Sequence, residues 1–73
     1  MNFLSQKLLA ALSKNIDDAD YLAEKEAEFS RLDTLGAARQ IANFDATNQA
    51  ALAEMLGVAP IELAAFSKVL GRL

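Results

Sequence analysis

Residues 48–70 read NQAALAEMLGVAPIELAAFSKVL, and the way this stretch folds decides how the rest of the chain is arranged. From Gln49 to Leu56 the apolar residues Leu52, Met55 and Leu56 recur at the i, i+3, i+4 spacing of one helix face, with Ala53 beside them. Gly57 follows the last of them, where a residue in the left-handed region closes a helix at little steric cost. Pro60 then suits the first turn of a second helix, whose backbone N–H groups lack helical partners in any case. In that second helix Leu63, Phe66, Leu70 and Leu73 share a face. The two helices are predicted to meet over Leu52, Leu56, Leu63 and Phe66, with Val58 a buried plug at the corner.

The succession Gln49, Leu52, Ala53, Leu56, Gly57, Val58, Leu63, Phe66 resembles the helix-turn-helix of phage-repressor-type DNA-binding domains, and LAEMLGV (residues 52–58) is its most specific part. In that family a small residue lets the helices touch, a glycine makes the turn, and the second helix lies in the major groove. The resemblance covers residues 48–70 only. It implies a preceding helix that closes a three-helix core.

With Leu63, Phe66 and Leu70 inward, the helical wheel turns Ile61, Ala64, Ala65, Lys68 and Arg72 outward. A DNA reader presents Arg, Lys, Asn, Gln, Ser or Thr there, to base edges and phosphates. Ile61, Ala64 and Ala65 offer at most an apolar touch to a thymine methyl, and Glu62 meets phosphate with the wrong sign. From Thr34 onward Arg39, Lys68 and Arg72 are balanced by Asp45, Glu54 and Glu62, whereas duplex binding draws much of its affinity from neutralised phosphates. The outward residues read instead as a protein contact patch, apolar at Ile61, Ala64 and Ala65 and rimmed by Lys68 and Arg72. The DNA-binding alternative is a dimeric regulator in which Asn48 and Gln49 touch phosphate at a helix N-terminus while Lys68 and Arg72 add charge. In a third arrangement the N-terminal helices fold back and cover this face.

Upstream, Phe44 is an apolar anchor, and Asp45 or Asn48 caps the helix that follows it. Asp33 or Thr34 caps a third helix from Leu35 to about Asn43, with Leu35, Ala38, Ile41 and Ala42 inward. The alternative is a second helix that runs straight through Gly36, since one interior glycine costs only about 1 kcal/mol. That second helix begins with Asp17 as N-cap and ends near Leu32. Asp20 stands in the capping-box position, and Ile16 and Tyr21 are placed as a hydrophobic staple. Tyr21, Leu22, Phe29 and Leu32 share its apolar side, with the Lys25 stem covering apolar surface. The first helix, Asn2 to Ser13, carries Met1, Leu4, Leu8, Ala11 and Leu12 on one side, widened by Leu9 and Ile16. Phe3 falls on the polar side with Gln6, Lys7, Ser13 and Lys14.

Residues 17–28 hold six carboxylates against Lys25 alone. Asp17, Asp18, Asp20, Glu24 and Glu28 form either a solvated helix face or an acidic patch that engages a basic partner surface. With 53% hydrophobic residues and a net charge of −3, the chain is folded rather than disordered. At 73 residues it is one domain, and a chain this short buries only roughly 60% of its unfolded surface, which invites dimerisation or a partner. The absence of Cys and His removes disulfides, thiol nucleophiles and the commonest metal ligands. No serine stands beside a base and no glycine-rich loop cradles phosphate, so no enzyme activity, cofactor or small-molecule substrate is expected. No run approaches the ~20 apolar residues of a membrane span, and the start lacks the pattern of a secretory leader. A cytoplasmic protein without membrane attachment is expected.

These readings converge on an all-α bundle of four or five short helices, with an N-terminal helical hairpin (1–32) and a helix-turn-helix-like unit (33–73). The expected function is regulatory protein–protein binding, to a second copy or to a transcription or nucleic-acid-handling factor, as an inhibitor or adaptor. Small phage and plasmid inhibitors share this size and composition.

Overall fold

Most of the helices start on a short side chain that takes up their unpaired N–H groups. In the computed structural model, which describes residues 1–70 and Arg72, Asn2 caps α1 (Phe3–Asn15) by accepting from the Ser5 N–H at 2.8 Å. Asp18 caps α2 (Ala19–Ser30), accepting from the N–H groups of Asp20 and Tyr21. Asp33 caps α3 (Thr34–Gln40) through the Gly36 N–H at 2.7 Å. Asp45 caps α4 (Ala46–Leu56) through the Asn48 N–H at 2.8 Å. Such a cap contributes about 1 kcal/mol. α5 (Pro60–Leu70) starts differently: the Glu62 carboxylate reaches back to accept from the Ala59 N–H at 3.2 Å, the returning half of a capping box.

Several boundaries differ from expectation, each for a local reason. Ile16 is extended and packs against the core, so Asp17 becomes the link and Asp18 the cap. That shift removes Asp20 from the box position and Ile16 and Tyr21 from the staple positions. α2 stops at Ser30, and the Leu32 carbonyl accepts instead from the Asn2 side-chain amide at 3.1 Å, tying the start of α1 to the α2–α3 turn. The second helix therefore does not run through Gly36. A Cβ on Gly36 would stand 3.0 Å from an Asp33 carboxylate oxygen and 3.3 Å from Leu32 Cδ2, so glycine is what lets this turn close.

α3 is followed by a 3-10 turn over Ile41–Asn43. Ala37, Ala38 and Ile41 point inward, while Leu35 and Ala42, both expected inside, are exposed. At the end of α4, Gly57 has φ +72°. Its N–H donates to the Glu54 carbonyl at 3.2 Å and the Val58 N–H to the Ala53 carbonyl at 3.0 Å, a Schellman closure. Val58 sits just past it, 38% exposed, and is not the buried plug expected.

The core joins Leu8, Ala11 and Leu12 of α1, Phe29 of α2, Ala37, Ile41, Leu52 and Ala53 near the centre, and Leu63 of α5. α1 lies most extensively along α4 and also packs on α2 and α3, while α5 packs on α4, α3 and the 3-10 turn. Met1, expected on the apolar side of α1, is exposed, and Phe3 stays on the solvent side beneath the Lys7 ammonium, 5.2 Å from its ring centroid. Leu73 lies outside the described residues. Among the described residues no single helix is long and apolar enough to cross a membrane.

Ser5 is fully buried, and its hydroxyl has no hydrogen-bond partner. A buried hydroxyl left unpaired is destabilising, and a methyl group fits the same space. Ser5→Ala is therefore expected to raise stability by about 1 kcal/mol. Urea denaturation checks this, and a midpoint that falls on substitution rejects it.

Candidate interaction surface

α4 and α5 meet at 108°, joined by Gly57, Val58 and Ala59. Leu63, Ser67 and Leu70 form the inward arc of α5. Because small Ser67 takes the centre of that arc, Phe66, expected to be core, lies on its edge and is 48% exposed. Phe66 instead lines an open groove of about 300 Å³ with Leu4, Ile41, Leu56, Val58 and Leu63, at whose mouth Glu62 is the lone charged residue.

The opposite side of α5 faces solvent. Ile61 is 78% and Val69 57% exposed, with exposed Ala65 between them at i, i+4, i+8. Lys68 and Arg72 are exposed beside this stripe, as expected, whereas Ala64 is half-buried and turned away from it. The apolar patch is thus Ile61, Ala65 and Val69, continuing over the helix edge to Phe66. Sequence reasoning missed Val69. Its place four residues beyond Ala65 is the signal that identifies it. The principal packing partners of α5 leave this side uncovered, so the N-terminal helices do not fold back over it.

The acidic residues Asp17, Asp18, Asp20, Glu24 and Glu28 are all exposed along α2 and the link before it. Two have local work: the Asp18 carboxylate caps its own helix, and Glu28 pairs with Lys25 at 3.2 Å. The Lys25 ammonium also stands over the Tyr21 ring, 5.6 Å from its centroid, a cation–π contact. Among the described residues no group of three or more carboxylates is placed to hold a metal ion.

The two residues assigned to phosphate in the DNA-binding alternative are engaged within the fold. The Gln49 amide donates to the carbonyls of Ile41 at 3.0 Å and Phe44 at 3.1 Å. The Asn48 side-chain oxygen accepts from the Asn15 amide at 3.3 Å. The N-terminus of α4 already holds the Asp45 carboxylate, which places negative charge where a phosphate would have to sit. The Gln49 amide donors are thus directed at backbone carbonyls, while the Asn48 side chain is engaged through its oxygen. No protein-family model matches the chain, and neither a curated protein nor a solved structure matches it.

Proposed function

We propose that this protein acts by protein–protein binding through the outer face of α5, as a small regulatory inhibitor or adaptor. The observation that carries the reading is the exposed stripe Ile61, Ala65, Val69, with Phe66 at its edge and two cations at its rim. A solvent-facing apolar row on a folded helix is unfavourable in isolation and gains when another surface covers it. Ala65 at its centre lets a partner helix or strand approach closely. The carboxylates of α2, on another side of the molecule, favour partners with basic surfaces.

A second reading, DNA binding by the α4–α5 unit, draws on the 108° crossing and the three-residue turn closed by a left-handed glycine. Its weakness is the reading face itself, which presents Ile61, Ala65 and Val69 where base-reading side chains belong.

The test is affinity capture from lysate with wild type and Ile61→Asp in parallel, after nuclease treatment, with circular dichroism to show that both are folded. Ile61→Asp is expected to weaken capture at least ~10-fold, because a charge replaces the most exposed apolar anchor of the contact. Recovery that disappears with nuclease and is indifferent to Ile61, but is lost in Lys68→Glu/Arg72→Glu, would instead establish the DNA-binding reading.

A further inference from the structure

We propose that α5 of one copy of this chain docks into the groove between α1 and α2 of another copy. This rests on the reading of α5 as a contact face and names what that face contacts. The groove holds about 680 Å³, and its floor and walls are formed chiefly by Leu9, Ala10, Ala19, Leu22, Ala23 and Glu26. Three alanines make the walls low, so a helix can settle between them at close interaxial distance. Ala65 is the matching small residue on α5, with Ile61 and Val69 the knobs on either side.

The lengths agree. Ile61 to Val69 rises ~12 Å along its helix, and each groove wall, the eight residues from Gln6 to Ser13 and from Ala19 to Glu26, rises ~10 Å.

The charges agree as well, and they set which side of α5 faces which wall. On the α1 wall the polar groups are satisfied internally: Ser13 Oγ donates to the Ala10 carbonyl at 2.8 Å, and the Gln6 amide donates to the Met1 carbonyl at 3.3 Å. The cations of α1 are engaged elsewhere, Lys7 over Phe3 and Lys14 with Glu54 of α4 at 3.7 Å. The α2 wall is acidic. Glu26 lines the groove, is exposed, and is in no ion pair among the described residues. Exposed Asp20, three residues before Ala23, stands on the outer lip of the same wall. α5 carries Lys68 on one flank of its stripe and Glu62 on the other, and exposed Arg72 lies beyond its C-terminal end. Seated with the Lys68 flank toward α2 and the Glu62 flank toward α1, it meets Asp20 and Glu26 with opposite charge.

Every copy offers one α5 and one groove, so the contact is head-to-tail and continues past the dimer unless it closes on itself. One helix in one groove covers less than the ~800 Å² per partner of a standard interface. Association is therefore weak, in the range of roughly 10 µM to 1 mM.

Sedimentation velocity from ~10 µM to ~1 mM tests this, with circular dichroism on each variant. The average mass of the wild type rises with concentration. Lys68→Glu/Arg72→Glu and Asp20→Lys/Glu26→Lys each weaken association about 10-fold or more. An equimolar mixture of the two regains it, because the unaltered α5 of the groove variant meets the unaltered groove of the α5 variant while the two reversed surfaces meet each other, and Ile61→Asp added to both partners removes that gain. Glu28→Lys, which stands with Lys25 and Arg31 away from the groove, leaves association unchanged. A wild type that stays monomeric throughout, or association indifferent to the groove variants, overturns the proposal. If the monomeric chain still captures another protein through Ile61, self-docking falls while the contact-face reading stands. Self-association that survives both Ile61→Asp and the groove variants, with no other protein captured, defeats both.

Discussion

Phe29→Ala is expected to remove about 3–5 kcal/mol of stability, most of what a chain of this length has. Phe29 is the one buried residue of α2, at 1% exposure, and it is among the largest fully buried side chains of the core. Its loss leaves a cavity against Leu8, Leu12 and their neighbours, and it also detaches α2, since Leu22 and Lys25 are only half-buried and the rest of that helix faces water. In a domain of this size each kcal/mol moves the melting temperature by roughly 4–8 °C, so a fall of at least ~12 °C should be seen by circular dichroism. Phe29→Leu, which keeps most of the volume, should cost ~1–2 kcal/mol. A melting temperature that drops by less than ~5 °C in the alanine variant would mean that α2 is held by more than this one side chain.

Replacing Gln49 should have the next largest effect, about 2 kcal/mol. Its amide bridges the carbonyls of Ile41 and Phe44, which belong to the 3-10 turn and to the residue that leads into α4. The Ile41 carbonyl keeps the Phe44 N–H, at 3.1 Å, as a second partner, whereas Phe44's own carbonyl depends on the glutamine. The informative substitution is Gln49→Glu, nearly identical in shape but unable to donate at neutral pH. It is expected to destabilise at least as much as Gln49→Ala, because a carboxylate is set against two carbonyl oxygens. Near-wild-type unfolding midpoints for Gln49→Glu would show that packing, not the donated hydrogen bonds, is what Gln49 supplies.

Gln49 also marks where the sequence stopped being readable. The break at Asp33, the left-handed Gly57 and the Pro60 start were all legible, because caps and turns are decided within four or five residues. The all-α class was legible from composition and period. What could not be read was helix phase to within one residue. Leu35, Ala42, Val58 and Phe66 were each apolar and plausibly inward, yet all four are exposed, while Ser5, Ala37 and Ser67 took inward places. A single helix of 11 residues is compatible with several rotations about its axis. The choice among them depends on how closely two helices can approach, a property of residues distant in sequence. The same difficulty moved the contact patch from Ala64 to Val69. The hydrogen bonds of Gln49 were hidden for a related reason: a glutamine near a helix start looks the same in sequence whether it faces solvent or a neighbouring carbonyl.

The long pairing of α1 with α4 has a consequence for how the chain emerges during synthesis. The apolar face of α1 is completed by residues 46–56, some 30 positions later, so at ~5–20 residues per second it waits roughly 2–6 s for its principal partner. Throughout that interval the nascent chain holds Leu4, Leu8 and Leu12 without their main cover. The first two helices thus reach their full packing only when α4 arrives.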